Sequence, residues 1–313
     1  MGNSLSFRTV AATVFFGLLG WAMFMATPAF LELVASEPEF FARYIAFMAV
    51  SVTVLRVWGL RAHRLVLSGV ALAILPLCYQ FLNWTWLADP KYQALLLEGV
   101  WNTVWILVVT MVLGMLLAIP LGFAQAAGPW WLAKPAAGFC GLIRGTPLLL
   151  QLWLLYYGLG SLFPSIPWIR DSSLWPILRQ GWPYAVLALT LSVAGYSGEV
   201  MRGAFKGVPY GQLEAARAMG MPRLTIFRRI WLPQAFHRVL PTLGGETVLT
   251  LKSTPLVATI TVVDIYAVSS RVRQDTFIVY EPLLLLAVVY MIIAGVIVLL
   301  FRWLESLVPQ KLV

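Results

Sequence analysis

Long uncharged stretches alternate with short charged ones along almost the whole chain. Read from charge to charge, uncharged runs occupy residues 9–31, 65–88, 99–133, 145–169, 180–198 and 282–301. A helix needs roughly 20 apolar residues to span the hydrocarbon core of a bilayer, so each run predicts a crossing. Two weaker candidates complete the pattern. Residues 40–57 carry only Arg43, near enough to one end to snorkel, and 239–264 hold Glu246 and Lys252 in an otherwise apolar stretch. The pattern predicts an all-α integral membrane protein with eight transmembrane helices. The first run covers 23 residues, beyond the roughly 7–15 of a signal-peptide core, and reads as an anchor.

Composition excludes the other broad classes. Of 313 residues, 60% are hydrophobic and 11% charged, with a mean hydropathy of +0.84. Soluble domains carry about 25% charged residues, and disorder needs low hydrophobicity with high charge. A net charge of +9 would suggest nucleic acid in a soluble protein. Here it follows from the positive-inside rule, and no nucleic-acid partner is implied. With the N-terminus inside, fifteen Lys and Arg fall on the inner side against six outside, so both termini are predicted cytoplasmic. The outer segments hold Trp84, Trp86, Trp168, Trp175 and Trp182, read as interface anchors or as contacts for an external partner. Cys78 and Cys140 read as small buried hydrophobes, implying neither disulfide nor metal.

Polar residues inside the runs divide the chain near residue 95. Residues 1–94 form an appendage of three helices with few intramembrane polar groups. The core, 95–305, carries Asn102, Gln151, Ser192, Glu199, Glu246, Thr250, Lys252, Ser253 and Thr254, and 306–313 is a short tail. Polar groups in hydrocarbon are costly and gather where there is a pathway or a packed interior. Substrate-path candidates are therefore Asn102, Gln151, Glu246, Thr250, Lys252, Ser253 and Thr254. Pro255 frees backbone groups beside the last four. Asn102 and Gln151 serve equally well as interhelical hydrogen-bonding groups. Glu246 and Lys252, about 240° apart around a helix, are no intrahelical pair. Each needs another partner, unless both are solvated near the inner face. Glu199 either gates or pairs with Arg202, and Thr146 with Pro147 reads as a helix start.

The connection 202–238 holds seven Lys and Arg and one carboxylate, Glu214. Tyr210, Leu213, Ala216 and Gly220 recur there at helical spacing, with Pro209 as a start and Gly220 as a stop. A second helical stretch over 223–232 is ended by Pro233. The segment is either an amphipathic element on anionic lipid or a docking element for a cytoplasmic partner.

These residues resemble a known family. Gly211-Gln212, Glu214-Ala215-Ala216 and Gly220, followed by Phe227, Ile230, Leu232, Pro233 and Gln234-Ala235, are similar to the EAA loop of bacterial ABC importer permeases. Glu98-Gly99-Val100-Trp101-Asn102-Thr103, the stretch from Ile143 to Gln151, and Ala194-Gly195-Tyr196-Ser197-Gly198-Glu199 with Arg202-Gly203 resemble the polar amino acid branch (histidine, glutamine and glutamate type), in the family's order. The resemblance covers about two-thirds of the chain, roughly 97–305. It implies a five-helix type I importer core preceded by three extra helices, in the bacterial inner membrane. It also implies a coupling helix, with Gly211, Gln212, Glu214, Ala215, Ala216 and Gly220 as ATPase-coupling residues. Ala215 and Ala216 permit close approach of the partner, and Glu214 either pairs with Arg217 or reaches across. The implied partners are two ABC ATPase subunits, a second permease copy or paralogue, and a periplasmic amino-acid-binding protein. The family commonly reads Lys-Asp-Thr-Ser-Leu where this chain has Lys252-Ser253-Thr254-Pro255-Leu256, which marks an altered pocket or a permease whose sister subunit supplies the main site.

The chain itself offers no enzyme chemistry. No Gly-x-x-x-x-Gly-Lys-Ser/Thr pattern occurs, so ATP and Mg²⁺ are expected on the partner and no cofactor or metal on this chain. His63 and His237 lie in separate loops without a catalytic set, and no catalytic residue is predicted. A secondary amino-acid transporter without an ATPase is the alternative, but it would normally show internal repeats and would not need the EAA loop.

Overall fold

The structure, a computed structural model, describes residues 84–307. The predicted crossings at 9–31 and 40–57, and nearly all of 65–88, lie outside the described residues. Backbone contacts set a boundary after Trp84, with Thr85–Val313 as one compact unit. The described part is helical: α1 Pro90–Ala127, α2 Trp130–Gly145, α3 Leu148–Ser165, α4 Trp182–Gly207, α5 Tyr210–Ala218, α6 Arg223–Ile260, α7 Ile265–Thr276 and α8 Tyr280–Ser306. Among the described residues, α1, α3, α4 and α8 are long and apolar enough to cross a bilayer. The bent pair α6–α7, at 52°, makes five if it counts as one span.

Helix boundaries follow local chemistry. Asp89 accepts the backbone N–H of Lys91 at 2.9 Å, and Pro90 takes the first helical turn, where its missing N–H is no loss. The single predicted run 99–133 is two helices in the structure. Gly128 leaves helical geometry at φ −75°, ψ 160°, Pro129 follows it, and α2 restarts at Trp130. Pro167 and Pro176 each sit in the first turn of a one-turn helix, Pro167–Arg170 and Trp175–Leu178. The segment that becomes α7 reads as outer loop in the sequence because its mean polarity hides a helix.

Pro233 does not end the helix as the sequence suggests. The chain widens to π geometry over Phe227–Trp231, where the N–H of Leu232 bonds to the carbonyl of Phe227 five residues back. That wider turn takes up the proline ring, so α6 runs on. At Pro255 the helix does break: it tightens to 3-10 geometry over Thr254–Ile260 and stops at Thr261, whose φ is 68°.

Helix α4 lies at the centre, with 61% of its apolar window buried against 6% for α8. It packs on α1, α2 and α6. Small residues permit this. A Cβ on Gly114 would come within 2.5 Å of Val193, and one on Gly122 within 2.5 Å of the Cβ of Met201. Cys140 of α2 is buried in the same way, against Gly198, and accepts a hydrogen bond from Gln125 at 3.3 Å. On the face opposite the coupling segment, Lys91 joins α1 to α7 through Asp275 at 2.8 Å.

Gly122→Leu is expected to destabilise the bundle by roughly 1–3 kcal/mol through overpacking. Gly138→Ala, with open space around the added carbon, should raise stability by about 0.5–1 kcal/mol, because alanine loses less backbone entropy in a helix. Thermal unfolding of the two detergent-solubilised variants compares them.

Candidate functional site

The segment predicted as a coupling helix is the nine-residue α5, begun by Pro209 and closed by Gly220. Its end is a reverse turn satisfying two of the last carbonyls: Gly220 N–H bonds to Arg217 O at 2.9 Å and Met221 N–H to Ala216 O at 3.1 Å. Gly220 supplies the φ of +73° that this closure needs.

The two faces of α5 have different work. Leu213 and Ala216 are buried, packed with Phe205, Val208, Ile226, Ala235 and Val239. Burying one leucine there contributes about 2 kcal/mol. Ala216 therefore faces this protein's own core, whereas Gly211, Gln212, Glu214 and Ala215 are exposed. This corrects the reading in which both alanines face a partner. A cluster of Phe123, Phe205, Phe227 and Trp231 lies beneath the seat, with ring centroids 4.6–6.1 Å apart. The indole of Trp231 donates to the carbonyl of Phe205 at 2.9 Å, tying α6 to α4. The two glutamines of the motif meet: Gln234 donates its amide to the side-chain oxygen of Gln212. Arg217 donates to the Tyr210 hydroxyl at 3.3 Å rather than pairing with Glu214. Glu214 has no ion-pair or hydrogen-bond partner among the described residues.

Further along the same two helices lies a cavity of about 330 Å³, lined by Ile143, Thr146, Ser192, Tyr196, Glu246, Thr250, Lys252 and Ser253 with Leu148, Leu189, Val193 and Leu249. Residues 246, 249, 250 and 253 form one helical stripe, with Lys252 at its edge. The hydroxyls of Thr250 and Ser253 donate back to the carbonyls of Glu246 and Leu249, at 2.9 and 3.0 Å, leaving their oxygen lone pairs for the cavity. Neither Glu246 nor Lys252 has a side-chain hydrogen bond or ion pair among the described residues. A carboxylate and an ammonium thus face one space without being neutralised by each other.

Three other candidates lie apart from this cavity. Asn102 donates to the carbonyl of Val263 at 2.8 Å and accepts from the indole of Trp105, fastening α1 to the break before α7. Gln151 donates to the carbonyls of Ile143 and Thr146 and to the Thr146 hydroxyl, at 2.8–3.2 Å, stapling the corner between α2 and α3. Thr254 is buried and bonds the Tyr290 hydroxyl of α8 at 2.9 Å. Thr146 is also reassigned: its hydroxyl donates to Leu142 O at 2.9 Å and so serves the end of α2, while Pro147 precedes α3.

Sequence reasoning gave no cavity role to Ser192 or Tyr196. Their i, i+4 spacing on a helix rich in small residues was the available signal. Glu199 pairs with Arg202 through two nitrogens at 2.7 and 3.0 Å, with Arg144 at 3.8 Å.

The seat, the central helix and the cavity are the arrangement of a transport core, and comparison with known proteins agrees. The family model described as "Binding-protein-dependent transport system inner membrane component" matches residues 111–311. The chain belongs to this family. It is thus a multi-pass inner-membrane permease, which removes the secondary transporter as an alternative. The octopine transport system permease OccM of Rhizobium radiobacter is 38% identical over 217 residues, covering 69% of this chain and 87% of that protein. The histidine/lysine/arginine/ornithine permease HisM of Escherichia coli K12 is 34% identical over 219 residues, 68% of this chain and 90% of its own. A solved amino acid ABC transporter has a chain that superposes with a TM-score of 0.58 at 26% identity, covering 71% of this permease and 98% of that chain.

Ala216→Leu should lower the permease's thermal stability by roughly 1–3 kcal/mol, because the side chain has no room in the seat. Ala215→Leu, one position along on the exposed face, should change it by less than about 0.5 kcal/mol. Parallel melting curves of the purified permease measure both.

Proposed function

We propose that this permease moves polar amino acids inward across the bacterial inner membrane, driven by ATP hydrolysis on a separate subunit seated against the exposed face of α5. One observation carries the reading. Helices α4 and α6 bear both the seat of α5 and the polar cavity, so displacement of one is felt at the other. From Val208 to Tyr196 is about 18 Å along α4, and from Ile226 to Glu246 about 30 Å along α6. Levers of that length need no intervening relay. Pressure on α5 tilts the helices that form the cavity wall, opening it to alternate sides.

The cavity chemistry suits a zwitterion. Lys252 complements an α-carboxylate, Glu246 an α-ammonium, and Thr146, Ser192, Thr250 and Ser253 offer hydroxyls to a polar side chain. The names of OccM and HisM give octopine, and histidine, lysine, arginine and ornithine, as what those systems transport. The working complex holds two ATPase subunits, which bind ATP and Mg²⁺, a second permease copy or paralogue, and a periplasmic amino-acid-binding protein. Glu214, without a partner among the described residues, is available to the ATPase. Both termini lie in the cytoplasm by the distribution of Lys and Arg. Three further crossings precede the core and make eight.

The test is ATP hydrolysis by the tagged complex isolated from native membranes, with co-purifying subunits identified. Ala215→Arg should reduce hydrolysis roughly tenfold or more while the permease still melts normally, the equivalent of losing about 1.4 kcal/mol or more of docking. Full activity in that variant would remove α5 from the coupling surface. In uptake assays, Lys252→Ala and Glu246→Gln should each raise KM about tenfold for the transported amino acid. An unchanged competition profile across amino acids would dismiss the cavity as its site.

A further inference from the structure

The end of α2 brings a positive charge beside the cavity wall. Arg144 is the penultimate residue of α2, immediately behind Ile143, and two positions before Thr146. Both of these neighbours line the cavity. Its guanidinium stands 5.8 Å from the ring centroid of Tyr196, which also lines it. On the far side it approaches Glu199, but only to 3.8 Å. Arg202 already occupies the same carboxylate oxygen through two nitrogens at 2.7 and 3.0 Å. Arg202 therefore holds Glu199 more closely, and Arg144 is its looser ion-pair partner.

Across the cavity Glu246 has the opposite problem. It sits within a membrane-spanning helix, where an unpaired carboxylate is costly. No ion pair reaches it among the described residues; besides Lys252 on the same wall, the positive charge beside this cavity is Arg144, set over the ring of Tyr196. A long, flexible arginine held weakly at one carboxylate and within the field of another is suited to move between them. We propose that Arg144 is a positioning charge for the cavity: tethered beside Glu199 and Tyr196, it offsets Glu246 while the cavity is empty, and it yields when a cationic substrate group arrives. This rests on the cavity being the substrate site. Glu199 then sets how strongly Arg144 competes with substrate, and Arg202 fixes Glu199.

The charge at Glu246 is read directly by a thiol placed there. In a background with Cys78 and Cys140 replaced by alanine, Glu246→Cys in the assembled complex is exposed to an anionic and a cationic methanethiosulfonate of similar size. The anionic reagent should react faster. Adding Arg144→Gln should cut the anionic-to-cationic rate ratio roughly three- to tenfold. Arg144→Lys should restore most of the ratio. Adding Glu199→Gln, which releases the tether, should raise the ratio, and the Arg144→Gln/Glu199→Gln pair should behave as Arg144→Gln alone. A ratio indifferent to Arg144, the same sign of change for both single variants, or a thiol that neither reagent reaches would each overturn the proposal. Uptake supplies the independent readout with the native carboxylate. Arg144→Gln should lower KM for L-arginine with little change for L-glutamine, and Glu199→Gln should raise it, with kcat preserved in both. Parallel shifts for the two amino acids, or losses of kcat alone, would assign the pair a structural role. If neither amino acid is carried, the substrate reading fails, while the reagent ratios still decide the electrostatic one.

Discussion

The bundle depends on how closely α1 and α4 approach each other. In hydrocarbon, one apolar helix gains little by exchanging lipid for another apolar helix, so association relies on contact at short range. Gly114 and Gly122 permit that contact by leaving no side chain where Val193 and Met201 lie. Helix α4, held in this way, is the wall against which α2 and α6 are placed. Two hydroxyls of α1 are satisfied within their own helix: Thr103 and Thr110 each donate to one of its carbonyls, at 2.8 and 3.0 Å.

Two functional parts hang on that wall. At one end the aromatic cluster and Trp231 fix α6 to α4 and form the seat for α5. Further along, the same pair encloses the space faced by Glu246 and Lys252. Phe123 of α1 completes the aromatic cluster, and Ile143, Thr146 and Leu148 from the α2–α3 corner complete the cavity wall. The break at Thr261 falls beyond the cavity, whereas the widened turn over Phe227–Trp231 lies between the two parts.

Much of this was legible in the residues. Charge-free runs marked four of the core crossings, and Pro209 with Gly220 bounded α5, the proline by fixing φ and the glycine by admitting the left-handed turn. What escaped the sequence was orientation. Spacing placed Ala215 and Ala216 together on a helix but could not say which one looked inward, since both are small and apolar. Polar residues inside the membrane were equally ambiguous. Asn102, Gln151 and Thr254 found carbonyls or a tyrosine on neighbouring segments, whereas Glu246 and Lys252 found open space. That difference is set by tertiary neighbours many residues away. The split at Gly128-Pro129 was written in the chain, but continuous hydrophobicity masked it.

The widened turn over Phe227–Trp231 has a geometric consequence for α6. A regular helix advances by about 100° per residue, and the π turn inserts a residue into that count. The turn takes up that extra residue, so the stripe from Glu246 to Ser253 keeps its aim relative to the segment that grips α5. Removing one residue from the turn would let it close to α geometry with the stripe still facing the cavity, whereas removing one from the regular helix beyond it would turn the stripe by about 100°. The turn works as a phase adjuster between two surfaces on one rod, and it is the place on α6 where a change of length leaves both surfaces aimed as before.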